Sequence, residues 1–241
     1  GGARWLAGQA LACDTQTRID LAIGRARAGQ YDDAIALLGD AMETADPGTR
    51  PLIDYYLAAY SERCGRSALA ADYRARAASE PRDYCFPSRL EDLLVLEEAI
   101  AHAPNDAAAH YYLGNLLYDK RRHADAIAHW EASVALDSNH PTVWRNLGIG
   151  RFNILGDAAG ARAAYERAFA EAADVLAQAM ELVPGWAAGW ANLGRYREEM
   201  GDLAGAVEAW RRSAELDAEG IYGAALKLVA HGAAAAADGG A

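Results

Sequence analysis

Apolar residues recur along this chain with a helical rather than an alternating period, in paired runs separated by short polar turns. The clearest pair occupies residues 107–140, A-A-A-H-Y-Y-L-G-N-L-L-Y and then, after a polar turn, H-A-D-A-I-A-H-W-E-A-S-V-A-L-D. Leu113, Gly114, Ala126, Trp130 and Ser133 mark its key positions. A shift of 34 residues brings Leu147 and Gly148 into the first two, and, one residue late, Ala161, Tyr165 and Ala168 into the others. A third copy carries Leu193, Gly194, Ala206, Trp210 and Ser213. Glycine inside a helix costs about 1 kcal/mol relative to alanine. Gly114, Gly148 and Gly194 therefore imply close approach of two helix backbones, each glycine opposite a small residue of its own second helix (Ala126, Ala161, Ala206). Trp130, Tyr165 and Trp210 are then expected to fill the wedge between one pair and the next. A lone pair leaves one face bare, so stability requires stacked neighbours.

The same template organises the rest of the chain. Residues 3–12 read as the end of a helix packed on a first pair at 15–44, in which Ala34, Leu38 and Ala41 take the marked positions. A second pair spans 51–79; Pro51 suits a first helical turn, and Arg74 stands in the large apolar position, where its stem can lie on apolar surface. Two prolines then exclude a regular helix from P-R-D-Y-C-F-P-S at 81–88. This loop is expected to plug the gap left by a missing helix, because Tyr84 and Phe86 need an apolar place to go. Ser88-x-x-Glu91 predicts a capping box before a lone helix at 88–103. Pairs follow at 106–137, 141–183 and 187–217, then a capping helix at 219–230 and a flexible tail at 232–241. Gly148 and Gly194 are 46 residues apart, 12 more than the period. One extra residue lies near Gly156 and eleven follow Phe169. Eleven residues return to nearly the same helical face, with a drift of about 20°, which predicts a single extended second helix of about 23 residues. The competing reading starts a fresh helix at Glu171.

The 34-residue pattern resembles the tetratricopeptide repeat (TPR) over residues 15–217. The resemblance implies an all-α fold, a TPR-type α-solenoid of antiparallel helix pairs wound as a right-handed superhelix. Finer resemblances differ along the chain. From about 14 to 170, D-Y-C-F-P-S-R-L-E-D-L-L-V-L-E-E-A-I, H-Y-Y-L-G-N-L-L-Y-D-K-R-R and P-T-V-W-R-N-L-G resemble the TPR tail of a large bacterial family of unsettled function with a mutarotase-like N-terminal region. From about 172, L-A-Q-A-M-E-L-V-P-G-W-A-A-G-W-A-N-L-G and Y-G-A-A-L-K-L resemble the TPR leader of proteobacterial methyltransferases. The change falls near residue 171, a hint that two arrays were joined there. Neither resemblance supplies a catalytic residue.

Composition narrows the function classes. A net charge of -11 over 241 residues argues against a nucleic-acid backbone as partner and is compatible with a basic peptide. Cys13, Cys64 and Cys85 are widely spaced and odd in number, which points to a reducing compartment. No run approaches the roughly 20 apolar residues of a membrane span, and no secretory signal is visible. The expected setting is the bacterial cytoplasm, without membrane or nucleic-acid partners and with self-association through exposed array ends as an option.

In TPR arrays the first helices line the concave face. Carried onto this chain, the resemblance assigns ligand contacts to Tyr111, Asn115, Tyr118 and Asp119, to Arg145, Ile149, Phe152 and Asn153, and to Arg195, Glu198 and Glu199. Asn115 and Arg145 suit a peptide backbone or carboxylate, and Tyr118 and Phe152 suit flat apolar anchors; the tyrosines can equally pack on their neighbours. Five histidines (His102, His110, His123, His129, His140) crowd 39 residues, but His123 and His129 fall on different helix faces and no metal-ligand motif accompanies them, so they read as solvated and no metal or cofactor is expected. Cys85 lacks a nearby base and is expected to be inert. The sequence thus predicts a noncatalytic scaffold that binds a peptide segment of a protein partner in its groove. The alternative is a docking or regulatory fragment of a larger bacterial enzyme, carbohydrate-related or methyltransferase.

Overall fold

The computed structural model describes residues 14–82, 84–217 and 219–230. The helix expected at 3–12, Cys13 and the tail at 232–241 lie outside the described residues. The chain is all-α, with no strand among the described residues, and it divides into two compact units, Gly1–Ser138 and Asn139–Ala241.

The first unit contains α1 (Thr15–Arg27), α2 (Tyr31–Thr44), α3 (Arg50–Arg63), α4 (Ser67–Ser79), α5 (Leu90–His102), α6 (Ala107–Asp119) and α7 (His123–Leu136). α1–α2, α3–α4 and α6–α7 pack as pairs, while α5 packs on α3 and α6. α3 is its centre. Every residue from Pro51 to Ser61 is buried, as expected of a helix with Leu, Ile, Tyr and Ala on all sides. The two consecutive tyrosines of α3 tie neighbouring helix starts together. Tyr55 donates to Asp106 (2.9 Å), whose other oxygen caps the Ala109 N–H of α6; Tyr56 donates to Asp92 (2.5 Å) at the start of α5.

The α6–α7 pair fixes the meaning of the marked positions. Ser133 Oγ donates to the Ala107 carbonyl at 2.8 Å, and the backbone of Ala126 lies beside Gly114, which makes the helices antiparallel. The aromatic position lies across the glycine of its own pair, and Trp210 also packs on Ala224 of the helical stretch that follows. A β-carbon on Gly114 would lie 2.5 Å from Trp130, one on Gly148 2.6 Å from Tyr165, and one on Gly194 2.4 Å from Trp210. The glycine is required by the ring that lies across it.

Two local expectations are revised in this unit. Asp92, rather than Glu91, caps α5: its carboxylate accepts from the backbone N–H groups of Ser88 (2.7 Å) and Arg89 (2.8 Å), and Glu91 pairs with Arg27. In the loop before it, Tyr84 and Phe86 do not plug a gap; they are 81 % and 75 % exposed, and Cys85 and Pro87 are the buried residues. The chain turns at Tyr84 (φ 64°), after which Cys85, Phe86 and Pro87 alternate between buried and exposed. Arg74 keeps its guanidinium on Glu62 at 2.9 Å while lying against Tyr55, Ala58 and Val95.

The second unit contains α8 (Pro141–Gly150), a π-helical turn (Arg151–Leu155), α9 (Ala158–Leu182), α10 (Ala187–Glu199) and α11 (Leu203–Leu216). The π-helical turn lies where the repeat carries its one extra residue, and a widened turn is how a helix accommodates an insertion. Gly156, at φ 66°, then ends it, and Asp157 caps α9 through the Gly160 N–H (2.8 Å). α9 is one helix of 25 residues that passes Glu171 without a break. The final helical stretch begins at 224 rather than 219, because Gly220 and Gly223 adopt positive φ and Asp217 accepts from the Tyr222 N–H (2.8 Å), holding 219–223 as turns.

Candidate peptide-binding face

In the first unit the expected contact residues are already engaged within the fold. Tyr111 is 5 % exposed and packs beside Tyr112. Asn115 is half-buried, and its side-chain oxygen accepts the Trp130 indole N–H at 3.0 Å. Tyr118 lies between the rings of His123 (4.7 Å) and Trp130 (5.3 Å). Asp119 is exposed and pairs with Lys120.

The second unit brings two of the predicted residues to cavities. Arg145 on α8 is exposed at the edge of a cavity of about 350 Å³ walled by Tyr165, Phe169 and Ala172 of α9 and Tyr196 of α10. Arg195, also exposed, lines a second cavity of about 620 Å³ with Ala191, Asn192, Trp210, Tyr222 and Lys227. The Arg195 guanidinium stands 5.6 Å from the centre of the Tyr196 ring, so one arginine on α10 touches the wall of the first cavity while facing the second. Ile149, Phe152 and Asn153 line neither; Phe152 and Asn153 lie exposed in the π-helical turn. Glu198 is bound to Lys227 at 2.7 Å, and Glu199 is exposed.

The electrostatics of these cavities differ from those of the whole chain. Among the described residues no carboxylate lines either one. The Arg145 guanidinium meets the Asn146 side-chain oxygen at 3.3 Å, and that of Arg195 meets the Asn192 oxygen at 2.9 Å; neither has a carboxylate partner among the described residues. Lys227 lies 5.5 Å from the centre of the Trp210 ring, with its charge offset by Glu198. The aromatic walls, Tyr165, Phe169, Tyr196 and Tyr222, were not legible as site residues. Tyr165 carries the signal of a packing position, and the others carry no pattern that separates wall from core.

Cys85 is chemically quiet. Burial, and then the neighbouring Asp92 carboxylate, pushes its thiol up to about 12, so the thiolate a nucleophile requires is scarce at neutral pH. No helix among the described residues is long and apolar enough to cross a membrane.

The family model of the tetratricopeptide repeat matches residues 107–140. No curated protein matches the chain by sequence. Among solved structures, a crystal structure of MamA is 18 % identical, with 82 % of this chain and 95 % of that one covered at a TM-score of 0.34. MamA AMB-1 is 19 % identical, covering 84 % and 98 % at a TM-score of 0.33. MamA 41-end from Desulfovibrio magneticus RS-1 is 17 % identical, covering 84 % and 94 % at a TM-score of 0.31. Residues 107–140 match the tetratricopeptide repeat, and the α8–α9 and α10–α11 pairs reuse the glycine–aromatic contact of that stretch within an all-α fold of TPR-type helix pairs.

Proposed function

We propose that this chain is a noncatalytic interaction scaffold whose second unit takes a peptide segment of a protein partner along α8 and α10. The observation that carries the reading is the pair Arg145 and Arg195, two exposed guanidinium groups beside aromatic-walled cavities, with no carboxylate partner among the described residues. A guanidinium prefers a carboxylate with two parallel hydrogen bonds, and an aromatic wall favours an apolar side chain next to it. The ligand that fits is a segment with an acidic residue beside an apolar one. The overall charge of -11 favours a basic partner, but the local lining governs a contact within a Debye length of about 8 Å. The free thiols of Cys64 and Cys85 suit the reducing cytoplasm expected from the sequence.

The test is selection of a displayed random peptide library on the full chain, followed by fluorescence anisotropy of the enriched peptides. Enriched sequences should pair Asp or Glu with an apolar neighbour, and Arg145→Glu or Arg195→Glu should weaken them by at least about tenfold. Enriched peptides that bind both variants as well as the parent protein would refute this face. Asn115 is a poor probe of the groove, because its side chain is the acceptor for Trp130.

A further inference from the structure

His110 of α6 and His129 of α7 meet across the repeat at residues 107–140. Their Nδ1 atoms are 2.9 Å apart, with ring centres at 5.1 Å and planes inclined by 37°. The register of the hairpin places them there, since Ser133 reaches Ala107 and Ala126 lies against Gly114. On its other side, His110 Nε2 lies 3.3 Å from the Pro104 carbonyl oxygen. A carbonyl can only accept, so in the neutral ring Nε2 carries the proton and Nδ1 keeps its lone pair. The bond between the rings is then donated by His129 Nδ1–H, and two imidazole nitrogens from two helices converge on one proton.

We infer that His110 Nδ1 and His129 Nδ1 form a two-nitrogen site for a divalent transition-metal ion of the copper, nickel or zinc class, which takes the place of that shared proton. Imidazole nitrogen suits these ions. Two metal–nitrogen bonds of about 2.0–2.1 Å meeting at a right angle hold their nitrogens about 2.9 Å apart, which is the spacing that the tetragonal arrangement of copper and nickel requires. Tetrahedral zinc asks for a slightly wider pair. The two Nδ1 atoms now face one another across a proton, and each ring must turn about its χ2 to aim a lone pair at a common centre. The Pro104 carbonyl supplies the outer contact that orients a metal-bound histidine and fixes its tautomer.

The protons balance without an acid or base from the protein. In the neutral pair the His129 proton moves through solvent from Nδ1 to Nε2, and no net proton is released; when the pair is protonated the metal displaces one, so affinity falls with pH. Among the described residues no third His, Cys, Asp or Glu joins the two. Both rings are half-buried, and water can complete the coordination, as befits an exchangeable ion rather than a structural one. The inference is independent of the peptide-binding reading.

The experiment is calorimetric titration of the full chain, free of any affinity tag, with CuCl2 or NiCl2, with electron paramagnetic resonance of the copper form. One ion per chain with a two-imidazole signature is expected. His110→Ala and His129→Ala should each weaken it by at least about tenfold, while His102→Ala and His140→Ala leave it unchanged. Nickel should raise the melting temperature of the parent protein and of His140→Ala, but not of His129→Gln, which serves as a second, less disruptive variant. Equal affinity in the parent and His129→Gln proteins, or a copper signature that survives both substitutions, would overturn the site.

Discussion

Gly114 and Trp130 share one site: a β-carbon on the glycine would lie 2.5 Å from Cδ1 of the indole, closer than packed atoms allow. The indole also donates to Asn115 at 3.0 Å, which holds the ring flat across the glycine. Gly114→Ala should therefore destabilise the protein by about 1–3 kcal/mol through overpacking, although alanine is the better helix former by about 1 kcal/mol. Gly24 is the control, because nothing lies within 4 Å of the β-carbon it would gain. Gly24→Ala should stabilise by about 0.5–1 kcal/mol. Urea denaturation of both variants tests the pair, and a stabilising Gly114→Ala would show that the ring is free to move aside.

Asp92 is fully buried and accepts three hydrogen bonds, from Ser88 N–H, Arg89 N–H and the Tyr56 hydroxyl. Asp92→Ala strands two backbone donors and a phenol and should cost about 3–5 kcal/mol, whereas Tyr56→Phe removes one bond and should cost about 0.5–1.5 kcal/mol. Because the caps of α5 and α6 both hang on α3, the loss should be cooperative over the first unit. Hydrogen exchange of α5 amides is the direct measurement; unchanged protection there in Asp92→Ala would contradict this account.

The helix pairs were legible in the sequence wherever the signal was periodic. Gly114, Gly148 and Gly194 announced close contacts, and the polar turns announced hairpins. The partner of each glycine was not legible, because alanine and tryptophan of the second helix lie one turn apart on the same face and spacing alone does not rank them. The Tyr84–Phe86 loop failed for a different reason. Which residue of a loop turns inward is set by its tertiary neighbours, here Leu52 and Tyr112, which neighbour the Cys85 thiol from distant parts of the chain. Tyr111 illustrates a third limit: α4 and α5 pack on α6 in addition to its own partner α7, so α6 is covered beyond what one repeat reveals. The Arg145 and Arg195 positions came from the repeat pattern, but their aromatic walls did not.

Tyr84 adopts φ 64°, a left-handed conformation that favours glycine, and its side chain is 81 % exposed. The backbone there costs about 1–2 kcal/mol in a residue with a β-carbon, and the ring recovers little of it by burial. Tyr84→Gly should thus be neutral or stabilising by up to about 1 kcal/mol, after the entropy that glycine adds to the unfolded chain. Gly48 presses on the same segment, with a β-carbon that would come within 2.5 Å of the Tyr84 carbonyl oxygen. Gly48→Ala should destabilise by about 1–3 kcal/mol. Thermal melts followed by circular dichroism distinguish the two signs.

Burial, and then the neighbouring His110, hold His129 below the usual histidine range; Asp125 acts in the opposite sense and Arg122 in the same one. A depressed folded-state value means that the unfolded chain takes up the proton first. The stability contributed by neutral His129 is therefore present above the ordinary value of about 6.5 and lost as pH falls through its lower folded value. The paired geometry sharpens the loss, since two protonated rings would bring two N–H groups face to face at 2.9 Å. The urea midpoint should fall between pH 7.5 and pH 5, and the fall should shrink in His129→Gln. An identical pH dependence in parent and variant would remove the pair as its cause.

The π-helical turn at Arg151–Leu155 lies where the repeat carries the single extra residue near Gly156, apart from the eleven that lengthen α9, and Phe152, Asn153, Ile154 and Leu155 are all exposed. Removing Ile154 takes away no buried side chain and returns the turn to α-helical spacing, which improves its hydrogen-bond geometry. Gly156 remains to end the helix in the left-handed conformation, and Asp157 still caps α9. The deletion should change stability by less than about 1 kcal/mol. Deleting Leu147 in α8 should instead unfold the second unit, because every residue of α8 on one side of the deletion would rotate by about 100° relative to α9, displacing Gly148 from Tyr165. Denaturation of the two deletions side by side tests whether the π-helical turn absorbs the insertion; a loss from the Ile154 deletion as large as that from Leu147 would mean that the widened turn is itself required for packing.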